Sequence, residues 1–369
     1  MSPVIAPEPA ARRQHLREQL AALPTPVDAL LVTDLINLRY LTGFTGSNGA
    51  LLLAGDDPAA DRICTDGRYT TQVGEQAGDI EAIIARDCPP ELARAAEAAG
   101  MRRVGFEADE MSVAAHRRLS DGAGGVELVA TTGLVEELRM VKDAGEVALL
   151  RRACTIGDDA LAAIISEGVI RAGNSERAVV RALEWKMYEL GADAVAFETI
   201  VAAGPNSAIP HHRPSGDVLA DGDLVKIDFG AQFGGYHSDM TRTFVLGRAA
   251  DWQREIYELV AAAQTVGRAA LHPGADLRGV DAAARSVIDD AGYGDAYVHG
   301  LGHGVGLQIH EAPGIGKLAT GTLPCGAAVT VEPGVYLPGR GGVRIEDTLI
   351  VTDGEPELLT ATTKAFTVI

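Results

Sequence analysis

Residues 299–311, HGLGHGVGLQIHE, contain the densest group of side chains that could take part in chemistry. His299, His303 and His310 lie in this stretch, and glycine occupies every second position from 300 to 306. Imidazoles act as general acids and bases near neutral pH and are common metal ligands. Because glycine weakens both helices and strands, its repetition predicts a backbone that needs room or unusual dihedral angles beside the imidazoles.

Two aspartates occur where the sequence otherwise predicts β-strands. Asp228 and Asp239 lie in apolar, strand-like segments, although aspartate is disfavoured in strands. The Gly234-Gly235 pair between them predicts a two-residue hairpin, in which Asp228 pairs with Thr241. The two carboxylates then lie on the same face as diagonal neighbours.

Glu332 and Glu346 form a second acidic pair, at nearly equal distances from the glycine-rich turn PGRGG at 338–342. A hairpin closed by this turn makes them cross-strand neighbours. A single acidic pair of this kind is ordinarily a solvated face or a salt bridge. Two such pairs with a histidine segment between them favour a metal site, because buried like charges are costly unless a cation compensates. Four carboxylates and one imidazole suit a pair of divalent cations, with manganese favoured over copper.

The elements that must position these residues fall into two predicted domains, since 369 residues exceed what one core usually supports. Residues 1–138 alternate short apolar runs with alanine-rich helical stretches, which is an α/β pattern. Residues 139–369 combine helices and strands in mixed order, which is an α+β pattern. One helix, weak at Gly145, is predicted to join the two domains. Further helices are predicted over 174–191, 251–271 and 276–294, and strands over 197–204, 223–233, 236–246, 327–337 and 342–351.

The overall charge limits the class of partner. Acidic residues outnumber basic ones, 51 to 32, which leaves a formal charge of -19. This argues against nucleic acid or an anionic membrane as the partner. This negative charge either serves only solubility or includes carboxylates that are grouped around cations. Both interpretations stay open at this point.

Cysteine usage and the first residues indicate the compartment. The four cysteines are scattered and form no CxxC motif, so neither a disulfide framework nor a thiolate zinc site is predicted. The first 26 residues lack the apolar run of a signal peptide, and no segment approaches the length of a membrane span. We therefore expect a cytoplasmic protein with no membrane partner.

From about residue 170 to its end the chain resembles the catalytic domain shared by aminopeptidase P, prolidase and methionine aminopeptidase, the pita-bread fold. YLTGFTGSNG at 40–49 and TDGRY at 65–69 resemble the N-terminal domain of aminopeptidase P and of short bacterial prolidase-like enzymes. The resemblance implies an α/β N-terminal domain followed by an α+β pita-bread catalytic domain. Its catalytic part is carried by SAIPHHRPS, KIDFGAQFGGYHSDMTRTF, HGLGHGVGLQIHE, VTVEPGVYL and GGVRIEDT.

The resemblance also implies a set of five metal ligands. Asp239 and Glu346 would bridge two divalent ions, Asp228 would complete one site, and His303 with Glu332 would complete the other. The expected metal is manganese, with cobalt and zinc as alternatives.

Further side chains receive roles from the same resemblance. Glu332 would relay a proton from the nucleophile to the leaving nitrogen, and His211 and His310 would stabilise the tetrahedral intermediate. His299 would line the substrate pocket, with Tyr336 and Arg344 on the substrate side of the metal carboxylates.

The implied reaction is hydrolysis, by a metal-bridging hydroxide, of the bond between an N-terminal residue and a following proline. The expected enzyme is an Xaa-Pro aminopeptidase that acts on proline-containing peptides as a homodimer. Two alternatives remain: an Xaa-Pro dipeptidase that accepts only dipeptides, and a metal-free peptide-binding module on the same fold.

Several residues near these motifs have simpler interpretations. His212 is interpreted as a surface or loop-packing histidine, and Tyr236 as either a core or a site-lining residue. Arg344 could form only a structural ion pair. Gly302 and Gly304 are expected to let the backbone approach metal and substrate, with a tight turn as the alternative.

Overall fold

The computed structural model describes residues 8–369. The described chain divides into two compact units, one ending at Arg139 and the other running from Met140 to Ile369. Among the described residues, every helix is too short or too polar to cross a membrane.

The N-terminal unit is built on one mixed sheet of six strands in the order β4-β3-β2-β1-β5-β6. Central strand β1 is buried along its whole length, as expected for an uninterrupted apolar run, and pairs parallel to β5 and antiparallel to β2. The predicted α/β pattern is confirmed. The strands are β1 (Ala29–Val32), β2 (Gly49–Ala54), β3 (Arg62–Thr65), β4 (Glu81–Ile84), β5 (Arg103–Glu107) and β6 (Glu127–Thr131). The helices are α1 (Pro9–Ala21), α2 (Leu35–Thr42), α3 (Thr70–Gln76), α4 (Cys88–Ala98), α5 (Val113–Gly122) and α6 (Leu134–Met140).

The C-terminal unit contains four helices and thirteen strands among its described residues. Its helices are α7 (Ala144–Ser166), α8 (Glu176–Glu189), α9 (Asp251–Ala269) and α10 (Leu277–Asp290). Its first strands are β7 (Ala194–Val195), β8 (Ile200–Ala203), β9 (Leu224–Phe229), β10 (Ala231–Phe233), β11 (Tyr236–His237) and β12 (Met240–Val245). The others are β13 (Gly302–Gly304), β14 (Glu311–Ile315), β15 (Ala328–Val331), β16 (Gly334–Leu337), β17 (Gly341–Arg344), β18 (Asp347–Ile350) and β19 (Glu357–Leu358).

These strands form small sheets that carry the candidate site. Their orders are β12-β9-β8, β11-β10-β7 and β14-β13-β15-β18-β19, with β16 and β17 as a separate pair. The predicted α+β pattern is confirmed. Helix α8 begins where predicted, because the Ser175 hydroxyl caps it by accepting a hydrogen bond from the backbone N–H of Ala178.

The prediction of one helix through Gly145 is wrong. The chain leaves the helical path between α6 and α7, where Val141 forms an isolated antiparallel bridge with Ala327. Helix α7 starts afresh with a capping box: the Asp143 carboxylate accepts from the N–H of Glu146, and the Glu146 carboxylate accepts from the N–H of Asp143. Gly145 lies inside the first turn of α7, buried, so the break precedes it.

The first predicted hairpin is present in the predicted register, with Asp228 opposite Thr241. Its hydrogen-bonded ladder is interrupted at one point. In the first arm Gly230 separates β9 from β10, and in the second arm a gap that contains Asp239 separates β11 from β12. A Cβ atom on Gly230 would lie 1.8 Å from the Ser238 carbonyl oxygen, which explains the glycine. The second aspartate therefore lies beside a strand rather than within one.

The second hairpin is interrupted in the same way. The β15–β18 and β16–β17 ladders share one register and are separated by a gap that contains Glu332 and Glu346. The backbone N–H of Glu332 donates to the Leu301 carbonyl, and that of Glu346 donates to the Thr241 carbonyl. The hydrogen-bonded ladder is therefore interrupted at Glu332 and Glu346, whose backbone N–H groups donate to segments outside this hairpin.

Candidate metal centre

Three of the predicted ligands form a compact cluster in the C-terminal unit. One ligand atom from each of Asp239, His303 and Glu346 lies within 4.8 Å of the other two. The His303 Nε2 atom is 3.6 Å from Asp239 Oδ2 and 3.4 Å from Glu332 Oε1. The structure therefore brings together side chains from β13 and from both hairpin interruptions.

Asp228 joins this group from β9. One of its oxygens, Oδ2, accepts a hydrogen bond from Arg344 Nη2. The other, Oδ1, is buried and has no hydrogen-bond partner among the described residues. An unsatisfied buried carboxylate oxygen is costly, and a cation would satisfy it.

Burial raises the proton affinity of the carboxylates. It raises the pKa of Glu332 to about 8, and burial together with the neighbouring acids raises the pKa of Asp239 and Glu346 well above their usual range. Arg344 opposes all three shifts. Without another cation, this group of acids tends to hold protons, and a divalent ion that binds there must displace them.

The imidazole of His303 is oriented for coordination. Its Nδ1 atom lies 3.0 Å from the Gly304 carbonyl oxygen, to which it donates as Nδ1–H. The Nε2 lone pair then faces the carboxylates, the arrangement that metal-binding histidines usually have. Burial lowers the pKa of His303 to about 4, so the ring is neutral at neutral pH.

Hydroxyl groups hold two of the carboxylates in place. Thr241 Oγ1 donates to Glu346 Oε2 at 2.7 Å, and Thr330 Oγ1 donates to Glu332 Oε1 at 3.3 Å. The donor set is thus one neutral imidazole and four carboxylates, three of them buried, and one of the buried carboxylates has an unsatisfied oxygen. It fits hard or borderline divalent cations.

A cavity of about 270 Å³ opens beside these carboxylates. The exposed histidines His211 and His310 both line it, and the His310 ring packs edge-on against His303 with the centroids 4.4 Å apart. Burial, followed by the positive charge of Arg344, lowers the pKa of His211. The lining residues are Phe197, Glu198, Ile200, His211, His212, Arg213, Asp228, Asp239, His303, Ile309, His310, Glu332 and Glu346.

The three predicted substrate-side residues form a hydrogen-bonded chain behind the carboxylates. Arg344 Nη1 donates to the Tyr336 hydroxyl at 2.8 Å, and that hydroxyl lies 2.8 Å from His299 Nε2. Because His299 Nδ1 donates to the Gly300 carbonyl, Nε2 accepts from Tyr336. These three side chains lie outside the cavity wall, and they connect to the cluster where Arg344 contacts Asp228.

The structure also places the residues with simpler interpretations. His212 lines the cavity while its Nε2 atom lies 2.8 Å from Glu176 Oε2, so it combines loop packing with a place on the wall. Tyr236 is a core residue whose hydroxyl donates to Glu146 Oε1 at 3.0 Å. Arg344 does form a buried ion pair, and its partner is the candidate ligand Asp228.

The glycines around His303 serve neighbouring strands. A Cβ atom on Gly302 would lie 2.0 Å from the Thr330 carbonyl oxygen, and one on Gly304 would lie 2.1 Å from that of Ala312. The alternative of a tight turn is therefore wrong, and the approach of the backbone to metal and substrate stays a prediction. The backbone is crowded by β15 and β14, and the two residues form a strand instead of a turn.

Three supporting residues were not predicted from the sequence: Thr241, Glu176 and Lys226. Lys226 is buried in β9, two positions before Asp228. A lysine inside the apolar run LVKIDF was the available signal, since a buried amine needs specific partners.

Comparisons with known proteins cover both units. Residues 148–353 match the family described as "Metallopeptidase family M24", and residues 12–141 match "Creatinase/Prolidase N-terminal domain". An Xaa-Pro dipeptidase from Pyrococcus furiosus is 34% identical over 336 residues, 91% of this chain and 94% of that protein. The solved structure of an Xaa-Pro dipeptidase from Bacillus anthracis has a TM-score of 0.93 and 37% identity, and the match covers 98% of this chain and 100% of the other. That of an X-Pro aminopeptidase from Thermotoga maritima has a TM-score of 0.87 and 31% identity, covering 96% and 100%.

These matches confirm the resemblance recognised from the motifs, including the pita-bread fold of the catalytic unit. They also agree with the cluster of buried acids and imidazole, which suits the divalent metal ions of a metallopeptidase. The chain is an enzyme of metallopeptidase family M24, with a creatinase/prolidase N-terminal domain.

Proposed function

We propose that this enzyme is an Xaa-Pro aminopeptidase that uses two divalent metal ions, manganese by preference. It cleaves the peptide bond between an N-terminal residue and a following proline. The observation that carries the proposal is the convergence of Asp239, His303 and Glu346, with Glu332 beside His303 and an unsatisfied oxygen on Asp228.

In this proposal Asp239 and Glu346 would hold both ions, Asp228 would complete one site, and His303 with Glu332 would complete the other. When bound, the ions supply an activated water at neutral pH and polarise the scissile carbonyl. Arg344 and Thr241 orient Asp228 and Glu346 through hydrogen bonds that are already formed. These hydrogen bonds restrict the orientation of both carboxylates.

The remaining chemistry belongs to side chains on the cavity wall. Glu332 takes a proton from the nucleophile and delivers it to the leaving nitrogen. His211 and His310 donate to the oxyanion of the tetrahedral intermediate. All three line the same cavity, as these roles require.

The cavity is suited to a proline on the leaving side. The bond before proline is a tertiary amide without an N–H donor, so recognition relies on shape. Phe197, Ile200 and Ile309 give part of the wall an apolar surface for the ring. At about 270 Å³ the cavity holds little more than the residues at the cleaved bond, so a longer peptide would extend into solvent.

A dipeptidase is the second candidate, because the Pyrococcus furiosus and Bacillus anthracis relatives are named Xaa-Pro dipeptidases. One assay separates the two. Metal-stripped protein is reconstituted with manganese and given Xaa-Pro and Xaa-Pro-Xaa peptides. Release of the first residue from the tripeptide supports the aminopeptidase, and cleavage of the dipeptide alone supports the dipeptidase.

The same experiment tests the metal requirement and the third alternative. Cleavage that survives complete removal of metal would contradict the proposed mechanism. A protein that holds no metal by elemental analysis and cleaves neither peptide would instead be a binding module. We also propose a cytoplasmic homodimer, which sedimentation and cell fractionation would test.

A further inference from the structure

His211 lies on an irregular segment, residues 209–215, that follows a 3₁₀-helix at Gly204–Ala208 and leads towards β9. Its ring is exposed on the cavity wall and has no hydrogen-bond partner among the described residues. The position of this imidazole therefore depends on what holds the backbone on either side of it.

Lys226 holds the backbone that precedes His211. It is fully buried, with 0% of its surface exposed, and its Nζ donates to the carbonyls of Ile209 at 2.6 Å and Pro210 at 3.1 Å. Arg344 Nη1 donates to the same Pro210 carbonyl at 3.2 Å. A buried amine is costly unless its donors are used, and here two of them are used on the two residues before the imidazole.

Glu176 holds the chain that follows His211. It is also 0% exposed, at the start of α8. Its Oε2 atom accepts from His212 Nε2 and from the N–H of Ser215, both at 2.8 Å. Its Oε1 atom accepts from the N–H of Ala203 at 2.9 Å and from Asn206 Nδ2 at 3.0 Å. One carboxylate thus fixes points of the chain before and after His211.

These two buried side chains have a common target. Neither lies on the cavity wall, and the hydrogen bonds of both go to the chain between Ala203 and Ser215. The only side chain on that segment with a role in the proposed chemistry is His211. A displacement of about 1 Å at a group that stabilises a transition state costs on the order of 100-fold in rate.

We infer that Lys226 and Glu176 are positioning residues for His211, and that they affect catalysis through this imidazole. The inference rests on the proposed function, which gives His211 its role in stabilising the intermediate. It goes beyond that function because it assigns a purpose to a buried lysine and a buried glutamate that touch neither substrate nor metal ligands.

A double-mutant cycle tests the inference, with kcat and KM measured on an Xaa-Pro-Xaa peptide and on an Xaa-Pro peptide in manganese. Lys226→Met keeps an unbranched side chain that is one atom shorter and removes the donors. We expect it to lower kcat on the order of 10- to 100-fold with little change in KM. In a His211→Ala background the same change should cost less than about twofold, because residues that act through one group are not additive.

Glu176→Gln provides an independent cycle. It preserves the size of the side chain and replaces an acceptor oxygen by an amide that opposes its former donors. We expect a smaller loss of kcat than for Lys226→Met, and again less than about twofold in the His211→Ala background. If Lys226→Met fails to fold, the Glu176→Gln cycle still tests whether the buried side chains act through His211.

Arg17→Met is the matched control for the loss of a buried basic side chain whose donors are hydrogen-bonded. Arg17 in α1 donates to the Ala54 carbonyl at 3.0 Å and pairs with Asp61, within the N-terminal unit. We expect it to lower the unfolding temperature and to leave kcat within about twofold of the parent. An equal loss of kcat in Arg17→Met would overturn the inference, since the effect would then be general destabilisation.

The remaining outcomes are also decisive. Additive losses in both cycles, full activity of His211→Ala, or loss of bound metal from Lys226→Met would each overturn the positioning role. In those cases the parent enzyme still cleaves proline peptides with metal, so the proposed reaction stands, although full activity of His211→Ala would remove His211 from it. A parent that cleaves neither peptide refutes the proposed function itself, and the inference with it.

Discussion

Replacing His310 by alanine should separate turnover from metal binding. We expect kcat to fall roughly 100-fold or more, because removing one oxyanion donor typically costs this much. Such a loss corresponds to about 2.7 kcal/mol of transition-state stabilisation. Metal content should stay at the parent value, since the ligand cluster is formed by other side chains.

The structure limits the other consequences of this substitution. The His310 ring is exposed, so its removal should change the free energy of unfolding by no more than about 0.5 kcal/mol. The backbone beside it is held by the next residue, because Glu311 accepts from the buried Lys142 Nζ at 2.7 Å. His303 keeps its own bond to the Gly304 carbonyl. The loss should therefore appear in kcat with little change in KM or in thermal stability.

The assay compares His310→Ala with His272→Ala, an exposed histidine outside the cavity lining. Both proteins are purified with manganese, their metal content is measured, and both are assayed on the same proline peptide. The control should retain the parent kcat. Loss of metal from His310→Ala would identify this residue as a ligand, and unchanged turnover with bound metal would remove it from the mechanism; either result refutes the assignment.

Two further predictions concern stability. In metal-free protein, burial gives Glu332 a pKa of about 8 against an ordinary 4.5, so the protonated carboxyl favours folding at low pH and this contribution is lost as the pH rises through 8. Burial lowers the pKa of His303 to about 4, so its titration contributes little above pH 6.5, and Lys226, whose pKa burial lowers to about 6, titrates in both the chelated and the manganese-loaded protein. The stabilisation that manganese adds to chelated protein should therefore grow between pH 6.5 and 8 in scanning calorimetry. Gly302→Ala places a methyl group 2.0 Å from the Thr330 carbonyl oxygen and should cost about 3 kcal/mol or more in denaturant unfolding, whereas Gly314→Ala, with open space around the glycine, should cost far less. An equal effect of the two alanines would contradict the crowding argument.

Local chemistry made much of the site predictable. The register of the first hairpin followed from the Gly234-Gly235 pair, because two-residue turns fix which residues face each other. Asp228 could be identified from the sequence because a carboxylate inside a buried strand is costly unless it has a partner. The start of α8 followed from the Ser175 cap in the same direct way.

Long-range contacts were beyond this reasoning. The break before α7 depends on Val141 pairing with Ala327, far along the chain, and no local pattern reveals that bridge. The glycines at 302 and 304 were correctly identified as unusual. The atoms that require them, the carbonyl oxygens of Thr330 and Ala312, lie on other strands and could not be identified from the sequence. Lys226 was recognisable as a lysine inside an apolar run, but its role was not. Its partners are the carbonyls of Ile209 and Pro210, and backbone atoms carry no sequence signal.

The glycines and the interrupted ladders have a common physical cause. At Glu346 the backbone N–H leaves its own hairpin and bonds to Thr241 of the other, and at Glu332 it bonds to Leu301 beside the histidine segment. Three segments that are far apart in sequence are thus joined by backbone hydrogen bonds at the predicted ligand positions. Such crossings bring carbonyl oxygens close to a neighbouring backbone, and Gly302 has no Cβ to prevent it. These backbone hydrogen bonds hold the like charges of the two hairpins close together, and a divalent cation bound between them would relieve their repulsion.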